Sequence, residues 1–96
     1  MTVERILTQH PSGKDGVNID RAKYEAMKQS LLAVIPPEAP GVAFKDLAML
    51  VEPHLQGTAM APDDSVMWYV TTVKLDLEAR GLVARLPGSP QRLVRG

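Results

Sequence analysis

The sequence predicts a small, mainly helical α+β domain with three helices and a C-terminal β-hairpin. Residues 21–35 and 65–80 carry apolar residues at helical spacing. Residues 82–86 and 91–95 read as short strands on either side of a Pro-Gly-Ser-Pro turn, which is typical of a hairpin with a four-residue loop. A chain of 96 residues has room for one hydrophobic core, so we expect a single domain over 1–96.

Residues 1–19 are predicted to form an N-terminal strand or hairpin arm. The stretch 2–9 favours a strand, and proline with two glycines makes 11–16 a turn, after which 17–19 can pair back on the first strand. Helix 1 is predicted over 20–35. Asp20 is a good N-cap because its carboxylate accepts free amide hydrogen bonds, and Pro36 ends the helix because the residue before a proline avoids the α conformation.

Helix 2 is predicted over 44–55, after a strand stub at 42–43. Pro53 should kink or end it, because the proline ring clashes with the carbonyl one turn earlier. Helix 3 is predicted over 64–80, where Gly81 allows a left-handed exit. The C-terminal hairpin is predicted over 82–95.

This order of helix, stub, helix, helix and hairpin is the winged-helix (winged helix-turn-helix) arrangement. The run LEARGLVAR at 77–85 resembles the segment that joins the third helix to the wing in winged-helix proteins, including MarR-type regulators. The wider chain resembles a family of small uncharacterised bacterial winged-helix proteins. The matching pieces are HP at 10–11, RAKYEAMK at 21–28, PHL at 53–55 and VKLDLEA at 73–79. The resemblance implies a fold and no activity, since a fold does not imply a function.

Composition excludes several classes of function. The chain has no cysteine, which removes disulfides, thiolate metal sites and cysteine nucleophiles. Neither histidine lies in a metal-ligand spacing and no serine lies in a nucleophile elbow, so we expect no metal, no cofactor and no enzymatic activity. No apolar run approaches the ~20 residues of a membrane span, and the N-terminus lacks the apolar core of a signal peptide, so we expect a cytoplasmic protein without membrane contact.

The leading functional hypothesis is a DNA-binding or transcription-regulator-like module. In a winged helix, helix 3 faces the DNA groove and the wing lies along the phosphate backbone. The candidate DNA contacts are Thr71, Thr72, Lys74, Arg85, Arg92 and Arg95. Charge opposes this hypothesis, because 11 basic residues balance 11 acidic ones and residues 63–80 hold four acidic residues against two basic ones.

The alternative is a protein-interaction module, in particular a homodimer, that does not bind DNA. Helical spacing places Trp68 and Leu75 on the side of helix 3 opposite its buried stripe. Monomers seldom expose large apolar patches, so we expect a cover over these two side chains. The cover is either the N-terminal strand of the same chain or a second subunit. Under this alternative the hairpin arginines only solvate an edge strand, where charged side chains deter aggregation.

Overall fold

In the computed structural model, which describes residues 3–96, three helices and two small sheets give an α+β fold. The predicted strand at 2–9 therefore lies partly outside the described residues. In chain order the elements are β1 (Arg5–Leu7), β2 (Asn18–Asp20), α1 (Arg21–Val34), β3 (Val42–Ala43), a 3-10 turn (Phe44–Asp46), α2 (Leu47–Leu55), α3 (Val66–Ala79), β4 (Val83–Leu86) and β5 (Arg92–Arg95).

The N-terminal arm is the predicted hairpin, since β1 and β2 pair antiparallel with Ile6 opposite Ile19. Asp20 ends β2 and also caps α1, where its carboxylate accepts the amide of Ala22 at 2.8 Å. The helix therefore begins one residue after its predicted start. It stops at Val34, one residue before its predicted end at 35. Both limits follow from local signals.

The second helix departs from its prediction at its start. Residues 44–46 form a tighter 3-10 turn, and the α-helix covers only Leu47–Leu55. Asp46 precedes it without a side-chain cap to its amides. Pro53 lies inside the last turn, and the helix ends two residues later. The apolar spacing that predicted the helix does not distinguish an α turn from a 3-10 turn, because both place residues three apart on one face.

The third helix is shorter than the predicted 64–80. Ser65 is its cap and accepts the Trp68 amide at 3.2 Å. Asp64 instead accepts the Ala61 amide at 2.7 Å and binds the Lys23 ammonium, so it ties the α2–α3 loop to α1. The hydrogen bonds from Lys23 and Ala61 hold the pKa of the Asp64 carboxyl below its usual range.

The core lies where α1 packs against both α2 and α3, with the C-terminal strands closing one side. Strand β5 is central in the second sheet, between β3 and β4, and its Leu93 is fully buried. The buried apolar residues of the cluster are Ile19, Tyr24, Met27, Leu31, Ile35, Leu47, Val51, Leu55, Val70, Val73, Leu77, Val83 and Leu93. They leave the opposite side of α3 facing away from the core.

Candidate interaction surface on the third helix

The side of α3 that points away from the core is uncharged. We define this outer face by five residues, Met67, Trp68, Thr71, Thr72 and Leu75. Its N-terminal half is the most open, since Met67 is 46% and Trp68 45% exposed. The Trp68 ring meets the Tyr69 ring edge-on, with centroids 5.0 Å apart. A large aromatic residue therefore lies at the surface with almost half of its area open to solvent.

The N-terminal arm lies beside the other half of the outer face. Thr72 and Leu75 line a small hollow of about 100 Å³ together with arm residues 8–10 and 15–17. Both side chains are half-buried, whereas Trp68 remains exposed. Of the two covers expected for Trp68 and Leu75, the arm of the same chain thus reaches the Leu75 end only.

Lys74 does not lie where the DNA hypothesis needs it. It was predicted to be one of the DNA contacts, but it is only 2% exposed. Its ammonium lies 2.8 Å from a Glu78 carboxylate oxygen and donates to the Gln91 side chain at 3.0 Å. It also sits 5.0 Å from the centroid of the Phe44 ring. Lys74 follows the buried Val70 by four residues and precedes the buried Leu77 by three. Residues at these spacings lie on the same side of a helix, so the Lys74 side chain points toward the core and not toward the outer face.

The structure does not bring the three hairpin arginines together. Arg85 lies opposite Leu93, and Arg95 opposite Val83, so these two arginines share one face of the β4–β5 ladder. Arg92 belongs to the alternate face. Arg95 donates from Nε to the Ile35 carbonyl at 2.7 Å, and therefore serves the fold. Arg85 is half-exposed, with its Nε 3.7 Å from a Glu78 oxygen.

A buried carboxylate is the feature that sequence reasoning missed. Asp76 was counted among the acidic charges of helix 3, but it is completely buried. Its carboxylate accepts three hydrogen bonds, from the backbone amide of Gln9 at 2.8 Å, from the Arg80 guanidinium at 2.9 Å and from the Tyr24 hydroxyl. Burial raises the pKa of the Tyr24 hydroxyl well above its usual range, and the hydrogen bond to the Asp76 carboxylate raises it further. The sequence did contain one signal of this burial, because Asp76 follows the buried Val73 by three residues and so lies near the core side of the helix.

Most of the acidic side chains of residues 63–80 form ion pairs within the domain. Asp76 is paired with Arg80, and Glu78 with Lys74. Asp64 is paired with Lys23 of α1. Of the two acidic residues in excess over 63–80, Asp64 is thus compensated by α1, while Asp63 is exposed just before α3. The outer face of α3 itself is neutral rather than acidic.

Two further observations concern metal and membrane. No group of three or more histidine, aspartate or glutamate side chains within 3–96 is arranged to hold a metal ion. His10 accepts hydrogen bonds from the amide and hydroxyl of Ser12 through Nδ1. Over the same residues, every helix is too short or too polar to cross a bilayer.

Comparison with known proteins gives a family. Residues 5–93 match the model of DUF6958, a family of unknown function. No curated protein and no solved structure matches significantly. The family match covers nearly the whole chain and agrees with the expected small uncharacterised family. The chain belongs to the DUF6958 family of unknown function.

Proposed function

We propose that this domain is a winged-helix module that forms a homodimer through the outer face of α3. The order α1, β3, α2, α3, β4 and β5, with β3 paired to β5, supports the winged-helix arrangement. In that arrangement α3 is the recognition helix and the β4–β5 hairpin is the wing. The proposal assigns α3 a protein partner in place of a DNA groove.

The observation that carries the proposal is the exposed Trp68 on a face without charge. Helices that read the major groove present Arg, Lys, Asn or Gln to base edges. The outer face presents two threonines, a leucine, a methionine and a tryptophan. Tryptophan is enriched among the residues that dominate binding energy at protein interfaces. Burial of Trp68 and Met67 would remove the most exposed apolar surface of the helix from water.

A second copy of the chain is the partner that this face fits best. In a two-fold dimer the same patch meets itself, so an excess of one sign of charge on it would be repelled by its own copy. An uncharged face avoids that repulsion, and the whole chain carries no net charge. A strongly basic or acidic partner would find no opposite charge there. One helix face is small for a permanent dimer, so we expect a dissociation constant in the micromolar range.

The test compares two aspartate substitutions by sedimentation equilibrium. Trp68→Asp should raise the dimer dissociation constant at least about 30-fold, because a central aromatic anchor is replaced by a charge that opposes its own copy. Met49→Asp is the matched control. Met49 is exposed at the third position of α2, as Trp68 is at the third position of α3. An aspartate in a first helical turn favours the helix in both cases. A parent that stays monomeric at millimolar concentration, or an unchanged Trp68→Asp variant, would refute the homodimer.

DNA binding is the second candidate, and the half-exposed Arg85 and Arg92 beside the open hairpin tip favour it. The contact would be sequence-independent and made to phosphates. Titration with duplex DNA at low and moderate salt, followed by Trp68 emission, tests it. We expect micromolar binding that weakens with salt and a smaller salt dependence for Arg92→Glu. Absence of binding at low salt would reject this candidate, while Arg21→Glu at the start of α1 provides the charge-matched control.

A further inference from the structure

A groove separates the end of α2 from the start of α3. Its volume is about 480 Å³, within the range of pockets that hold small molecules. The residues lining it are Glu52, Leu55, Gln56, Gly57, Met60, Ala61, Pro62 and Val66. The groove is separate from the hollow beside the N-terminal arm and shares no residue with the outer face of α3.

One wall of the groove is a single face of α2. Glu52 and Leu55 stand at positions i and i+3, which are neighbours on a helix surface, and Gln56 follows as the C-cap of α2. Leu55 is buried at the floor, and Met60 and Val66 are half-buried on the other side. Most of the lining is apolar, so the groove suits the hydrocarbon or aromatic body of a ligand.

The electrostatics of the groove favour a cation. Among the described residues that line it, Glu52 is the only charged one, and it forms no ion pair within 3–96. The groove lies at the C-terminal end of α2 and at the N-terminal end of α3, whose opposite partial charges offset each other. An anionic ligand would meet repulsion from the Glu52 carboxylate.

The far wall is held in place before any ligand arrives. The Asp64 carboxylate accepts the Ala61 amide and binds Lys23, which clamps the loop onto α1. At the other end of the loop, the Thr58 backbone amide donates a hydrogen bond to the Leu55 carbonyl at 3.1 Å. The Thr58 hydroxyl donates a second hydrogen bond to the same carbonyl. A preformed wall reduces the ordering cost of binding.

We propose that this groove binds a small organic cation, a primary amine with an aromatic or aliphatic body. The ammonium lies at Glu52, and the body packs on Leu55, Met60 and Val66. Nothing in this assignment depends on the homodimer. A primary amine matches the one carboxylate through a charge-assisted hydrogen bond, while the apolar walls recognise the rest of the molecule.

The test uses two probes with the same body and opposite charge, phenethylamine and hydrocinnamate. Amide chemical shifts of the full chain are followed during each titration. We expect saturable shifts confined to residues 52–66 with phenethylamine, and at least fivefold weaker binding of hydrocinnamate, about the effect of one charge-assisted contact. Glu52→Gln should weaken phenethylamine binding by a similar factor. Glu38→Gln, an exposed change on the α1–β3 loop, should leave it unaltered.

The proposal fails under any of three results. The first is the absence of a saturable shift with phenethylamine up to about 10 mM, a concentration that corresponds to negligible affinity. The second is equal binding of hydrocinnamate and phenethylamine, which would remove the role of charge. The third is a Glu52→Gln variant that is folded, as judged by its spectrum, and binds phenethylamine as the parent does, which would place the amine elsewhere.

Discussion

Replacing Asp76 by alanine is expected to destabilise the domain by about 3–5 kcal/mol, because Asp76 is the buried half of an ion pair and the acceptor of two further hydrogen bonds. The substitution leaves the buried Tyr24 hydroxyl and the Gln9 amide without their acceptor, and Arg80 without its counter-charge. A domain of this size has a free energy of unfolding of about 5–14 kcal/mol, so the loss is a large part of the total. Contacts of the arm and of α1 with α3 should weaken together.

Urea denaturation followed by circular dichroism measures this effect. Tyr24→Phe removes one of the three hydrogen bonds and should cost only about 1–2 kcal/mol. Asp63→Ala, an exposed aspartate just before α3, is the matched control and should leave the unfolding midpoint in place. If Asp76→Ala does not fold, Asp76→Asn keeps the shape and removes the charge, and it should still lower the midpoint. An Asp76→Asn variant as stable as the parent would show that the charge of this carboxylate contributes nothing to the fold.

Gly41→Ala is expected to cost about 3–5 kcal/mol, since it combines a left-handed backbone with a direct clash. The φ of Gly41 is +68°, and a Cβ there would lie 2.2 Å from the Leu93 carbonyl oxygen. That oxygen belongs to β5, the central strand of the second sheet. The backbone of the β3–β5 pairing must therefore shift to admit one methyl group.

Gly57→Ala separates the two contributions to this cost. Its φ is +76°, but a Cβ there would meet no atom within 4 Å. It should cost only about 1 kcal/mol, from the backbone conformation alone. Comparison of the two urea midpoints gives the cost of the clash, and amide shifts of 92–95 locate it. Equal losses in the two variants would show that the close approach of Gly41 to β5 is unimportant.

Most element limits could be predicted because their causes are local. Asp20 caps the helix that begins beside it, and Pro36 excludes the α conformation for the residue before it. Gly81 has φ +77° and follows α3 closely, as its sequence position predicted. The 3-10 start of the second helix was missed, since apolar spacing over one turn is compatible with both kinds of helix.

The candidate site was predictable only in part. The exposure of Trp68 follows from helical spacing, because it depends on angles along one element. The spacing of Lys74 from Val70 and Leu77 also pointed inward, but its hydrogen bond to Gln91, in the β4–β5 turn, could not be predicted from the helix. A pattern read along one helix carries no information on which side chains of distant elements meet it.

Local propensity and spacing along the chain therefore account for the three helices, the two hairpins and the uncharged outer face of α3. The burial of Asp76, the pairing of Lys74 and the separation of Arg92 from Arg85 depend on packing and strand register. Asp76 meets Tyr24 and Gln9 across separations of 52 and 67 residues. A carboxylate is stable in the core only where such partners replace its water, and those partners come together only when the chain has folded.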